Sequence, residues 1–268
     1  MKVKLFIVTY RNSQDLITNL ESIFASNWAG HHLEISIINN HSDFFLPPRL
    51  LHRVAVLHNV CRPDFSTGHL SRNWNQAIIN GFKNLNNPDC DILIHCQDDT
   101  VFEPNWFYQL LDYHTKYSFI QMGAGDNFCS YTPAAVKNIG LWDERFCGIG
   151  FQEADYFLRA RIYNKQFSSI NDSYHRRILN EVPTKICRRT KASGFSTYHV
   201  KSSKYHMINK NLFEKKWGVP PENWDLSMEL PSKSLIENYI FYPYFELDIN
   251  SLEEKNFVVN GNNVDFNL

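Results

Sequence analysis

The stretch Asp91-Ile92-Leu93-Ile94-His95-Cys96-Gln97-Asp98-Asp99-Thr100 reads as an apolar strand that ends on two adjacent carboxylates. Asp91–Cys96 has the near-continuous hydrophobicity of a strand covered on both faces. Two carboxylates at a strand terminus repel one another unless positive charge sits there. A hard divalent cation is one natural answer, because Mg2+ and Mn2+ take oxygen ligands. A polar turn, or an aspartate capping the next helix, is the other reading of the same residues.

Upstream, Lys2–Thr9 is a strand with β-branched Val3, Ile7 and Val8. Ser13 can cap a helix whose Leu16, Leu20, Ile23 and Phe24 share one face. Glu34–Ile38 and Arg53–Leu57 are further strands, the first running into Asn39-Asn40-His41-Ser42-Asp43. Leu70, Trp74, Ile78 and Phe82 mark a second helix that closes near Gly81, and Pro104 opens a third. Strands alternating with helices predict a mostly parallel α/β sheet. Its polar clusters follow the strand ends, where such sheets bind ligands. There is no GxGxxG after the first strand and no GxxxxGK[ST], so the dinucleotide and P-loop readings lose their main support.

Downstream, Phe119–Gly123 and Phe128–Tyr131 read as strands. Thr132-Pro133 starts a short helix that ends at Gly140, and Gln152–Asn164 is a helix with an acidic first turn, Glu153 and Asp155. Residues two apart on a helix diverge, since each turns ~100°, so only one of this pair faces a given cleft. A carboxylate there can act as a general base or simply complement the helix dipole. Arg72 can pair with a phosphate or lie solvated on its helix, and His199, at the end of a strand-like segment, is either structural or a metal ligand. The basic run Lys185–Lys191 reads as an exposed loop.

The chain has 268 residues, 43% of them apolar, which suits a globular fold of one large domain or two small ones. With 27 Lys plus Arg against 28 Asp plus Glu, it lacks the basic footprint of a nucleic-acid binder. No apolar run approaches the ~20 residues of a membrane-spanning helix. The start, Met1-Lys2-Val3-Lys4-Leu5, shows no secretory apolar region, and the six cysteines have no CxxC or zinc-like spacing. These features predict reduced thiols and a cytoplasmic chain, compatible with peripheral association at a membrane surface. Aromatic residues make up 15%, more than a few ligand-stacking rings such as Trp142 would need, so most belong in the core.

In order and spacing these pieces resemble the family 2-type glycosyltransferases of the GT-A fold. The likeness rests on Val8-Thr9-Tyr10-Arg11-Asn12, Ile38-Asn39-Asn40-His41-Ser42-Asp43, Gly68 with Arg72-Asn73-Trp74-Asn75, and Gln97-Asp98-Asp99-Thr100 with its trailing Pro104 and Trp106. It continues through Gly140-Leu141-Trp142-Asp143-Glu144-Arg145-Phe146, Phe151-Gln152-Glu153-Ala154-Asp155, Arg159, His199 and Lys216-Trp217-Gly218. The resemblance implies a GT-A domain over residues 1–218, Rossmann-like with a mostly parallel central sheet flanked by helices, and a C-terminal extension over 219–268. It implies an inverting transferase that moves a sugar from a nucleotide-sugar donor to a hydroxyl of a glycan or lipid-linked glycan, in surface polysaccharide or glycan biosynthesis. Thr9, Tyr10, Asn39, Asn40, Arg72 and Asp98 would line the donor pocket. Asp99, approached by His199, would hold Mn2+ or Mg2+ at the diphosphate. Glu153, with Asp155 as second choice, would be the base.

Two departures stand out. Gln97 or Cys96 occupies the first acidic position of the DxD motif, and Asn39-Asn40 replaces acidic residues that often read a uracil base. A nucleotidyltransferase is a competing expectation, weakened by the lack of a Gly- and Lys-rich loop near the N-terminus. A catalytically inactive nucleotide-sugar-binding module is another.

Overall fold

Strand β1 (Lys2–Thr9) lies between β2 (His32–Asn39) and β4 (Ile92–Gln97), parallel to both. Outside β2 runs β3 (Ala55–His58), also parallel. On the other side β7 (Phe128–Tyr131) is antiparallel to β4 and to the edge strand β6 (Phe119–Met122). The six-stranded sheet therefore has the order β3-β2-β1-β4-β7-β6. A two-stranded antiparallel ribbon joins β5 (Thr100–Phe102) to β8 (Cys187–Arg189). The computed structural model describes residues 1–59, 70–122, 125–147, 150–167, 186–189 and 194–218, without the side chains of 161–167, 189 and 194–205. Gly68, Cys61 and the expected extension over 219–268 lie outside the described residues.

Period-two alternation sends the strands' side chains to two cores. Phe6, Val8 and Leu93 pack with α3 (Leu70–Phe82), α5 (Pro133–Ile139) and α6 (Gln152–Phe167) through Trp74, Ile78, Val136 and Tyr156. Leu5, Ile7, Ile92 and Ile94 pack on the other face with α1 (Ser13–Phe24) and α4 (Trp106–His114) through Leu16, Leu20, Trp106 and Leu110. The short α2 (Pro48–Leu51) follows β2, and α7 (Gly194–Trp217) ends the described chain. Trp142, an expected sugar-stacking candidate, is fully buried and stacked on Tyr156 at 4.2 Å, so it is a core residue.

Several boundaries differ from the sequence reading for local reasons. Ser13 is the first helical residue of α1 rather than its cap, and its hydroxyl accepts from the Phe45 N–H at 3.3 Å. The helix α3 ends at Phe82, beside Gly81 as expected, but the glycine also serves packing. A Cβ there would lie 1.8 Å from Leu93 Cδ1, so the glycine lets the helix approach β4, and Lys83 ends the turn at φ 59°. Thr132 caps α5 as expected, accepting from the Ala135 N–H at 3.3 Å. The basic run is not simply an exposed loop. Cys187–Arg189 pairs with β5, with Cys187 buried against Phe102 and Arg188 exposed. His199 falls within α7, on a helix rather than a strand, among the side chains outside the description.

Gly81→Val forces a branched side chain into the Leu93 contact. It should lower stability by about 1–3 kcal/mol, read by urea denaturation, while the far-ultraviolet spectrum of the folded state stays unchanged.

Candidate active site

Parallel pairing brings the ends of β1, β2 and β4 level, Thr9 beside Asn39 and Val8 beside Gln97. Their polar tips then meet. Thr9 Oγ1 donates to Asp98 Oδ2 at 2.7 Å, and Asn12 Nδ2 lies 3.4 Å from Asp98 Oδ1. Asn127 Nδ2 donates to the buried Asp99 at Oδ1, 3.0 Å away. Burial pushes the Asp98 carboxyl up to about 7, the Thr9 hydroxyl offsets part of that, and Asp99 and Asp15 add to the rise. A carboxylate raised by burial and neighbouring carboxylates is one that a cation would stabilise.

The donor set fits a hard divalent cation, since Asp98 and Asp99 offer oxygen ligands only. Among the described residues no group of three His, Cys, Asp or Glu side chains is placed to hold a metal ion. A metal here would rest on two carboxylates completed by ligand phosphates, a usual arrangement for Mg2+.

A third carboxylate, Asp126, enters from the turn before β7, and the sequence reading did not single it out. Because β7 is antiparallel, its start lies at the edge where β4 ends, and the Gln97 N–H bonds to the Asn127 carbonyl at 3.0 Å. Asp126 accepts from Trp74 Nε1 at 2.7 Å, Gln97 Nε2 at 2.9 Å and Gln152 Nε2 at 3.1 Å. The only signal in the sequence is a polar Asp126-Asn127 pair ahead of an apolar strand.

The chain enters α6 through Gly150 at φ 112° and Phe151 at φ 66°. A bulky residue in the left-handed region costs ~1–3 kcal/mol and persists only where its surroundings impose it. Gln152 Oε1 accepts from the Gly150 N–H at 2.6 Å, and Asn209 of α7 donates to the Cys147 and Gly150 carbonyls at 2.8 and 2.9 Å. This clasp turns Glu153 toward Gly125 and Asp126. Its Oε1 would lie 3.9 Å from a Cβ on Gly125, and its Oε2 is buried with no hydrogen-bond partner among the described residues. Burial, then the nearby Asp126 charge, push Glu153 up to about 8.

Asp155 points elsewhere. Its two oxygens take Arg159 Nε at 3.0 Å, Trp217 Nε1 at 3.0 Å and Lys216 Nζ at 2.6 Å, all buried. Lys216 also reaches Asp143 at 2.8 Å. Against the upward push of burial, Arg145 and Lys216 hold Asp143 well below the usual carboxylate range. Arg72, half exposed on α3, pairs with Glu144 at 3.2 Å. Asn39 is committed to its own turn, donating to the His41 carbonyl at 2.7 Å and His58 Nδ1 at 3.0 Å and accepting from the His41 N–H at 3.2 Å. Asn40 bonds through its backbone N–H to the Thr9 carbonyl at 3.1 Å, its side chain reaching only contacts near 3.5 Å. The Tyr10 ring meets His41 edge-on at 5.2 Å. The structure thus gathers Thr9, Asp98, Asp99, Asp126 and Glu153 at one sheet edge, with Asn39 at the end of β2, Tyr10 and Asn40 just past β1 and β2, and Asp155 turned into an ion network.

No protein-family model and no curated protein matches the sequence. Solved structures do resemble the fold. A mannosyltransferase from Pyrobaculum calidifontis in complex with GDP-Man and Mn2+ matches over 98% of this chain and 76% of its own, with TM-score 0.53 and 9% identity. S. aureus TarS 1-349 in complex with UDP-GlcNAc matches over 95% and 80%, with TM-score 0.50 and 9% identity. The chain spans 45% of the longer TarS chain. The fold is therefore a GT-A-like α/β fold, a mostly parallel central sheet flanked by helices.

Lys216→Met leaves Asp143 and Asp155 buried without their shared cation. A loss of about 3–5 kcal/mol of unfolding free energy is expected in denaturant titration, with a smaller loss for Lys216→Arg.

Proposed function

We propose that this chain is a nucleotide-sugar-dependent glycosyltransferase of the inverting kind, acting on a hydroxyl of a glycan or lipid-linked glycan in surface glycan biosynthesis. The observation that carries the reading is Glu153, half-buried, with a buried Oε2 that has no hydrogen-bond partner among the described residues, at the same sheet edge as Asp98 and Asp99. The fold likeness supports it, because one similar structure holds GDP-Man with Mn2+ and another UDP-GlcNAc.

In this reading the donor lies across the ends of β1, β2 and β4, with Thr9, Tyr10, Asn39, Asn40, Arg72 and Asp98 along it. Asp99, with Asp98 beside it, would hold Mn2+ or Mg2+, and when bound such an ion supplies positive charge to the diphosphate leaving group. His199, whose side chain lies outside the description, is kept as a proposed partner of the metal or diphosphate. Glu153 takes the proton from the acceptor hydroxyl as that oxygen bonds to the anomeric carbon. The bond from that carbon to the phosphate oxygen breaks, and the nucleoside diphosphate leaves from the opposite face. Asp155 holds the first turn of α6 in place through Arg159, Lys216 and Trp217, so Glu153 is the base. Among the described residues no helix is long and apolar enough to cross a membrane.

The test is release of nucleoside diphosphate from a panel of nucleotide sugars, GDP-mannose and UDP-GlcNAc included, with Mn2+ and candidate acceptors. Glu153→Gln should keep donor binding and lose about 10²–10⁴-fold in turnover, whereas normal turnover by this variant contradicts the base assignment. Because a base works deprotonated and Glu153 sits at about 8 in the free protein, kcat/KM should rise with pH and level off above that value. A plateau reached near pH 5 would contradict it. Pyrophosphate release from a nucleoside triphosphate and a sugar phosphate would instead identify a nucleotidyltransferase.

A further inference from the structure

Asp126 is built as a rigid charge. Trp74, whose indole donates to it, is fully buried and stacked flat on His95 at 3.9 Å, and His95 Nε2 is bound to the Tyr131 hydroxyl at 2.6 Å. Gln97 is fixed at the end of β4, and Gln152 is fixed by its bond to the Gly150 N–H. Three N–H donors on one carboxylate match its ionised form. Its sequence neighbour Gly125, at φ 59°, leaves open the surface on which the Glu153 side chain lies, 3.8 Å from where a Cβ would stand.

We propose that Asp126 is a positioning residue for the base, a fixed negative charge set against Glu153 to strengthen it as a proton acceptor. The inference rests on the reading of Glu153 as the base. A carboxylate near a like charge binds its proton more tightly, and the same interaction makes it a better acceptor for the proton of an incoming hydroxyl. Other titratable groups around Glu153 are placed differently. Asp155, on the same helix, is engaged with Arg159 and Lys216. His206 of α7 packs on Phe151 at 4.7 Å, with its Nδ1 3.1 Å from where a Cβ on Gly150 would stand. Asp126, next to the Gly125 on which the Glu153 side chain lies, is the neighbouring charge that raises Glu153.

The coupling is readable without any substrate. Unfolding free energies of the full-length wild type, Glu153→Gln, Asp126→Asn and the double variant are measured by urea denaturation from pH 4 to 9. A carboxyl raised in the folded state loses stability as pH climbs from its unfolded value to its folded one, so wild type should fall behind Glu153→Gln over that window. In the Asp126→Asn background the upper end of that window should move toward acid by about one pH unit. The acid limb of the kcat/KM profile, taken with whichever of GDP-mannose or UDP-GlcNAc turns over, should move in the same direction. Should Asp126→Asn not fold, Asp126→Ser leaves room for a water to accept the three N–H bonds and carries the same expectation. An unmoved stability window overturns the proposal. A window that moves while the rate profile stays put shows the coupling and overturns Glu153 as the base.

Discussion

Everything at the candidate site depends on the register of β1 between its two parallel neighbours. Thr9 pairs with Asn39 on one side and Val8 with Gln97 on the other, so three strands finish at the same height. A one-residue slip of β4 would exchange its faces, turning Leu93 toward the core that holds Ile94, and would take Asp98 away from the Thr9 hydroxyl. The hydrophobic pattern that fixes the fold therefore also fixes where the carboxylates meet. The antiparallel β7 adds Asp126 and Asn127 to that edge without lengthening any parallel strand.

The molecule treats its buried and half-buried carboxylates in two ways. Asp143 and Asp155 are neutralised by Lys216, with Arg145 and Arg159 in support, and this network ties the last turn of α7 to the start of α6. Asp98 and Glu153, in contrast, are raised by burial and by neighbouring carboxylates, to about 7 and about 8. Such groups make the folded state less stable than neutral side chains would at alkaline pH. That is the pattern expected where stability is given up for a site that binds a cation and accepts a proton. The left-handed Phe151, clasped by Asn209 and Gln152, is a second local cost at the same place.

Elements with local signals were legible in the sequence. Phe128–Tyr131 and the Thr132-Pro133 helix start were legible because a short apolar and aromatic run, an N-cap hydroxyl and a proline act within a few residues. Helical divergence of Glu153 and Asp155 was also readable from spacing alone. What escaped was non-local. The β5–β8 ribbon pairs Phe102 with Cys187, far apart in sequence, and three residues carry no periodicity. Gly81 marked the end of its helix, but its close approach to Leu93 did not show because that contact belongs to another element. Asp126 was invisible because only the antiparallel pairing shows that a residue before β7 lies level with one at the end of β4.

On the proposed reading, the C-terminal edge of the sheet, with its clustered carboxylates, receives a nucleotide sugar together with a divalent cation. Calorimetric titration of the full-length chain with GDP-mannose and with UDP-GlcNAc, each with and without Mn2+, tests it most directly. Saturable binding of one donor is expected, strengthened at least about tenfold by Mn2+, a gain of ~1.4 kcal/mol, with the strengthening lost in Asp99→Ala. Binding of equal strength with and without the metal, or metal-dependent binding that survives Asp99→Ala, would contradict it.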